Sequence, residues 1–378
     1  MLIVRKPWMD PIYFYALPTY AQARRVAWEP ILNLIPKDWI LKISEAGLVL
    51  HTVFNTRLYI VGMDKPARLE GVQWDGGVID ESCDQKPGIF DRTIMPALSH
   101  RNGWCWRIGV PKRYGVGAQE FKGICDVGTS GDDPDVATFH WPSGDILTER
   151  QLEAARRILD PRDFNEQYNA SWETAGGLIF HAFSSDNLKY NLKYDSSKPI
   201  LVGSDFNVDP MCWVIGHRAD NGIVIFDELF LRNTSTQKAL DVLHTRYQNH
   251  AAGWEFFGDA AARQRKTSAA QSDYLQIRND NRFRDRKIYY NKSNPSIADR
   301  FAATNALFKN ASGDCRLFIN PTCKHLIEDI SSRAYKEGTR DPDDYGDIGH
   351  MTDALGYPIQ RCFPIKLESV HTPSILVA

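Results

Sequence analysis

Apolar and polar positions fall into two alternating blocks separated by a looser stretch. In the first block Ile12 to Leu17 is a short apolar run of strand length. Thr19 then caps a helix over Tyr20 to Ile35, with apolar positions at Val26, Ala27, Ile31 and Leu34. Leu48 to Phe54 and Leu58 to Val61 read as strands around a bend at Asn55-Thr56, and Gly77 to Asp80 and Trp104 to Val110 as two more. Thr148-Glu149-Arg150-Gln151 is a capping box opening a helix to about Leu159, and Pro161 closes that unit. From Ser171 to Pro199 glycine, asparagine and serine pairs mark a connector. The second block opens with three successive strands, Ile200 to Asp205, Met211 to His217 and Gly222 to Phe230, the last two joined at Asp220-Asn221-Gly222. A helix over Ser235 to Asn249 and a strand over Trp254 to Asp259 follow, then helices at Pro295 to Asn310, Pro321 to Arg333 and Asp347 to Arg361. Phe363 to Ala378 reads as a tail.

Composition adds boundaries to this plan. The chain has 378 residues, enough for two domains, and 43% apolar with 11% aromatic residues argues for a packed core rather than a disordered chain. Lys and Arg number 45 against 47 Asp and Glu, which excludes a protein wrapped in nucleic acid over its whole surface but leaves room for a local basic groove. No apolar run is long enough to span a bilayer, and no cleavable leader is expected, because Arg5, Lys6 and Pro7 interrupt the apolar start. The seven cysteines are scattered with no Cys-x-x-Cys pair, so they suggest small buried side chains in a reducing cytosol rather than zinc ligands or a disulfide framework.

Three acids stand where chemistry is expected. Asp205 ends the apolar strand before Phe206-Asn207, Asp259 ends the strand Phe256-Phe257-Gly258, and Asp353 lies on the last helix within His350-Met351-Thr352-Asp353-Ala354. Each alone is compatible with a solvated strand-end or salt-bridged acid. Together, on the first strand, the fourth strand and the final helix of one domain, they form a hard oxygen donor set suited to Mg²⁺ or Mn²⁺. Two such ions, about 3.5–4 Å apart, would activate water and stabilise the leaving oxygen of a phosphodiester. Asp209 and Glu228 are auxiliary carboxylates, although Glu228 equally suits a structural partner. His350 positions a water or the scissile phosphate, or serves a purely structural role.

Between these motifs runs a basic track. From 262 to 310 there are eleven Lys and Arg against four Asp, with Phe283, Tyr289 and Tyr290 interleaved. Arg263, Arg265, Lys266, Arg282, Arg284, Arg286 and Lys287 are its candidate DNA contacts, which would give salt-sensitive affinity with little sequence preference; a solvated charged face is the plainer alternative. In the first block Val78-Ile79-Asp80-Glu81 has the form of a Walker B strand, the Asp orienting Mg²⁺ and the Glu polarising water. The sequence contains no Gly-x-x-x-x-Gly-Lys-Ser/Thr, so tight ATP binding is not expected unless a P-loop is supplied.

This ordering resembles the large subunit of a tailed-phage DNA-packaging terminase over almost the whole chain. Tyr15-Ala16-Leu17-Pro18-Thr19-Tyr20 is similar to the segment after the P-loop helix, Asp80-Glu81 to Walker B, Gly109-Val110-Pro111 to the coupling motif, and Phe164 to Tyr168 to the segment closing the ATPase. The surroundings of Asp205, Asp259 and Asp353 resemble the three nuclease motifs. The resemblance implies an α/β fold: a truncated P-loop NTPase-like domain over residues 1–172, a linker 173–198, an RNase H-like nuclease domain 199–362 and a tail 363–378. It further implies a metal-dependent endonuclease acting on double-stranded DNA. The implied partners are the portal protein, the terminase small subunit and a homo-oligomeric ring, with no membrane, in the host cell cytoplasm. Arg68 is the positional candidate for an arginine acting in trans. Val110 and Gly349 depart from the usual residues of their motifs. A motor subunit complemented by a P-loop piece from elsewhere, a non-catalytic docking subunit binding DNA and portal, and a RuvC-like resolvase are the alternatives.

Overall fold

Parallel strands covered on both faces need nearly continuous apolar runs, and the run at Ile12 supplies the middle of one sheet. The computed structural model describes residues 10–66, 69–173, 176–263, 271–337 and 339–365. Strands β1 (Ile12–Leu17), β2 (Ile40–Ser44), β3 (Val49–Thr52), β4 (Arg57–Gly62), β5 (Gly76–Ile79) and β6 (Trp104–Arg107) form a sheet in the order β2-β3-β4-β1-β5-β6. β4, β1, β5 and β6 run parallel, and β2 and β3 fold back antiparallel at one edge. The helix expected after Thr19 forms, with the Thr19 hydroxyl accepting from the Gln22 amide, and it carries a wide π-type turn over Ala23–Trp28 before ending at Leu34. A helix over Ala118–Ser130 is an addition to the expected elements. It buries only Ala118 and Phe121, and so has little apolar periodicity to announce it.

The second sheet is built from β7 (Ile200–Asp205), β8 (Met211–Ala219), β9 (Gly222–Leu231), β10 (Trp254–Gly258), β11 (Arg286–Tyr289) and β12 (Leu317–Ile319), in the order β11-β10-β7-β8-β9-β12. β7, β8 and β9 are an antiparallel meander, while β10 returns parallel to β7 on its other side. Three antiparallel strands, a helix and a fourth strand laid parallel to the first make an RNase H-like arrangement. Alternation sorts its side chains. Ile200, Val202 and Phe256 pack into one core with Leu240 and Leu243 of the helix Thr236–Arg246. Leu201, Val214 and Phe257 face the other core with Phe301, Leu326 and Leu355, from the helices Ile297–Phe308, Lys324–Ser332 and His350–Cys362. The α/β class and the two kinds of sheet are those the sequence implies.

Packing divides the chain into residues 1–142 with 169–174, and 143–168 with 175–378. This differs from a boundary at residue 172. The helix Glu149–Ile158, read as part of the first domain, is tied into the second unit by the Ala311 amide donating to Leu159 O at 2.8 Å and by Asn310 Nδ2 donating to Arg157 O at 3.0 Å. The stretch read as a loose connector also packs. Ile179, Phe180 and Asn187 are buried, and the Asn187 amide group donates to Phe308 O and Leu317 O. Its polar composition conceals a segment that satisfies its own polar groups internally.

Candidate active site

Register and alternation place the three acids of the second unit. Gly258 of β10 pairs with Ser204 of β7, so Asp205 and Asp259 stand at neighbouring strand ends, one register step further on. Asp205 has the parity of Leu201 and Gly203, and Asp259 that of Phe257, which assigns both to the face covered by the helix His350–Cys362. Gly203 lets that helix approach closely: a Cβ there would lie 2.3 Å from Ala354 O. Asp353, in the first turn of the helix, is thereby carried to the same end of the sheet. The Tyr357 hydroxyl registers all three carboxylates. Burial pushes its pKa up and Arg300 opposes this, while Asp353, Asp259 and Asp205 each add to the rise.

The carboxylates do not close on a common point. Among the described residues, no three His, Cys, Asp or Glu side chains stand close enough together to hold a metal ion. Each acid is engaged separately. Asp205 Oδ2 lies 2.8 Å from His350 Nδ1, a bond that raises the His350 pKa, against burial, and favours the imidazolium. Asp259 Oδ1 accepts from the Ala262 amide at 3.0 Å, and its backbone carbonyl accepts from the Tyr274 hydroxyl at 2.7 Å. Asp353 Oδ1 meets Arg333 Nη1 at 2.8 Å and Arg300 Nη1 at 3.2 Å. The chemistry of the donors fits a hard divalent cation, with oxygens from two rigid strand ends and one helix.

The auxiliary candidates are held elsewhere. Glu228, in β9, accepts the backbone amides of His325 at 3.0 Å and Leu326 at 2.9 Å, and so caps the helix Lys324–Ser332; burial raises its pKa. Asp209 pairs with Arg232 at 3.3 Å, and the same guanidinium is bonded to Asp347. Three residues absent from the sequence-derived site shape it. Arg300 and Arg333 are 5% and 1% exposed, and Asp329 accepts the amides of Gly349 and Thr352, fixing the start of the acid-bearing helix.

The basic track is less uniform than its composition. Arg284, Lys287 and Arg263 are exposed, and Arg263 lies over the Tyr290 ring at 5.5 Å. Arg282 is tied to Asp280 and Asp241. Arg286 donates to the carbonyls of Phe283 and Arg278 and stabilises its own turn. Phe283 is fully buried, and Tyr289 stacks on Phe257 at 4.8 Å, so neither ring is offered for stacking on a base. Arg265, Lys266 and Arg68 lie outside the described residues.

In the first unit Asp80 and Glu81 follow β5, between β1 and β6. The Tyr15 hydroxyl donates to Asp80 Oδ2 at 2.5 Å, and the Glu81 amide donates to Asp80 Oδ1 at 2.8 Å. Lys112, next to Gly109-Val110-Pro111, bridges Glu81 at 3.0 Å and Asp84 at 2.5 Å. Its pKa is raised because these bonds outweigh its burial.

The two units define a class: a largely parallel NTPase-like sheet ending in Asp-Glu, followed by an RNase H-like sheet with three acids at one end. No family model matches the chain. It is 27% identical over 157 residues, 39% of its length, to the terminase large subunit of Thermus virus P23-45, and the match spans about a third (32%) of that relative. It is 22% identical over 374 residues to the terminase large subunit of Escherichia phage T5, covering 90% of this chain and 78% of the relative. Among solved structures, the large terminase of a thermophilic bacteriophage shares the fold with a TM-score of 0.52 at 16% identity, over 94% of this chain and 87% of that one. The chain is thus similar to phage terminase large subunits, the family its motif order resembles.

Proposed function

We propose that the chain is a divalent-metal-dependent endonuclease that cuts concatemeric double-stranded DNA during viral genome packaging, its first unit being part of an ATP-driven motor. One observation carries this reading: Asp205, Asp259 and Asp353, far apart in sequence, reach the same end and the same face of one sheet. Mg²⁺ or Mn²⁺ bound there would supply water activation and charge neutralisation at a phosphodiester. The chain's own contribution is placement. Asp205 and Asp259 come from strand ends fixed by the ladder, Asp353 from a helix start fixed by Asp329, and His350 orients Asp205. Arg263, Arg284 and Lys287 would meet backbone phosphates, which implies affinity that falls steeply with salt. Portal protein, terminase small subunit and a ring of copies are the proposed partners, in the host cytoplasm. No helix among the described residues is long and apolar enough to cross a membrane. ATP enters only where a P-loop is supplied beside Asp80 and Glu81.

The test is plasmid nicking with Mn²⁺. Asp205→Asn is expected to lower the rate by at least about 100-fold, and unchanged cleavage refutes the assignment. A second reading, a DNA- and portal-docking subunit that does not cut, is favoured by the engagement of Asp353 with two arginines. It predicts salt-sensitive DNA binding and no cleavage with either metal.

A further inference from the structure

Asp353 is ringed by buried positive charge. Arg300 comes from the helix Ile297–Phe308, and Arg333 caps the end of the helix Lys324–Ser332. Each makes its closest approach to the same carboxylate oxygen, Oδ1. The two arginines are not equivalent. Arg333 is fully used: Nε and Nη2 bond Asp344 at 2.8 and 2.9 Å, and Nη1 also reaches Thr352 Oγ1 at 2.9 Å and Gly349 O at 3.2 Å. It holds the turn before the acid-bearing helix together. Arg300 is 5% exposed, yet its Nε and Nη1 make no hydrogen bond, although Nη1 lies 3.2 Å from Asp353 Oδ1. Its guanidinium sits over the Tyr357 ring at 4.7 Å.

A buried guanidinium with unfilled donors is costly, and the contacts that answer it, Asp353 Oδ1 and the face of the Tyr357 ring, both use its charge. A cation approaching Asp353 would compete with Arg300 for Oδ1 and would meet like charge in a poorly screened setting. Asp205 is answered differently, by the His350 ring at 2.8 Å, with no buried guanidinium paired to it among the described residues.

We infer that Arg300 is a positioning residue that acts as an electrostatic brake on divalent-cation binding at Asp353. It makes that acid a weak, exchangeable ligand and leaves the tighter hold to the strand-end position at Asp205. The inference rests on the three acids being cation ligands. It implies an ion at Asp353 that comes and goes, so that cutting depends on cation concentration more steeply than occupancy of the first position does.

Mn²⁺ binding to the full chain, followed by calorimetry and by the electron paramagnetic resonance signal of free Mn²⁺, tests it without reference to cleavage. The native chain is expected to show a weak class of sites that Asp353→Asn removes. Arg300→Gln should tighten that class on the order of ten-fold, while Arg300→Lys, which keeps the charge, should retain native affinity. Circular dichroism and thermal melting report whether each variant is folded. If Arg300→Gln does not fold, Arg300→Met, which keeps the volume without the charge, takes its place. Unchanged weak-class affinity in a folded neutral variant overturns the brake, as does equal tightening in Arg300→Lys. Absence of Mn²⁺ uptake by the native chain, or uptake untouched by Asp205→Asn, overturns the cation site itself and the brake with it.

Discussion

Asp80 and Asp205 occupy corresponding places in two different sheets, each at the end of a buried strand, but the cations paired with the acids beside them, Glu81 and Asp353, lie at different depths. Near Asp80 the counter-charge is Lys112, about a third exposed, shared between Glu81 and Asp84, which are equally accessible. Near Asp205 the cations are Arg300 and Arg333, almost wholly enclosed and directed at Asp353. An exposed pair exchanges freely with water and contributes little to stability. A buried one is expensive to break, because removing one partner strands the other in a low dielectric. The first acidic site is therefore assembled at the surface and open to rearrangement, whereas the second is built into the core and part of the fold.

Stability measurements should separate the two most sharply. Arg333→Met leaves Asp353 with Arg300 alone and removes the buried bonds to Thr352 and Gly349 O, and is expected to cost about 3–5 kcal/mol in urea unfolding. Lys112→Met should cost less than about 1 kcal/mol. Equal costs would break the contrast. The next effect in size comes from the close approach that delivers Asp353. Gly203→Ala places a Cβ 2.3 Å from the Ala354 carbonyl, part of a helix backbone that cannot swing aside. It is expected to cost about 1–3 kcal/mol and to lower Mn²⁺-dependent nicking, because the helix must retreat from β7. Nicking at the native rate in that variant would show that Asp353 does not depend on this contact.

Much of this is legible in the sequence, and the illegible part has one cause. The strands β7 to β10 declare themselves by short, nearly continuous apolar runs, and the capping box at Thr148 forms as written, Gln151 bonding back to the cap. Asp205 and Asp259 stand out because each follows or ends an apolar strand, and Asp353 because it is a charge among the apolar residues Met351, Ala354 and Leu355 of the last helix. The buried arginines do not, because a pattern of apolar and polar positions assigns every charge to the surface. Arg300 falls within the basic track, yet its spacing to Thr304 and Leu307 places it on the inward face of its helix, and all three are buried. That spacing is the available signal. Glu228 likewise reads as a strand-end acid, and only the fold reveals the helix whose amides it accepts. Short elements such as β12, three residues long, owe their conformation to the neighbouring strand rather than to their own sequence.

The smallest expected effect concerns protons and extends the contrast in depth to histidine. His217 of the second unit is 3% exposed, with Nε2 accepting from the Asp195 amide at 2.9 Å, so Nδ1 carries the proton and donates to Pro199 O at 2.9 Å. His51 of the first unit is only half-buried. Burial lowers the pKa of both, with nearby Arg57 and Lys42 adding to the effect at His51. A histidine whose folded pKa lies below its unfolded value of about 6.5 binds its proton more readily when unfolded. Its contribution to stability is therefore present above that pH and is lost as pH falls toward the folded pKa. Protonating His217 would also set a second N–H against the Asp195 amide, which already points at Nε2. The melting temperature is expected to fall between pH 7.5 and 5.5, with a His217-dependent part of about 2–4 °C, the change that roughly 1 kcal/mol produces in a domain of this size. His217→Gln should flatten that part of the profile, while His51→Gln should leave it nearly as steep. If the two variants flatten the profile equally, depth of burial is not what distinguishes the two regions, and the contrast between Lys112 and Arg333 would have to be explained by bond geometry alone.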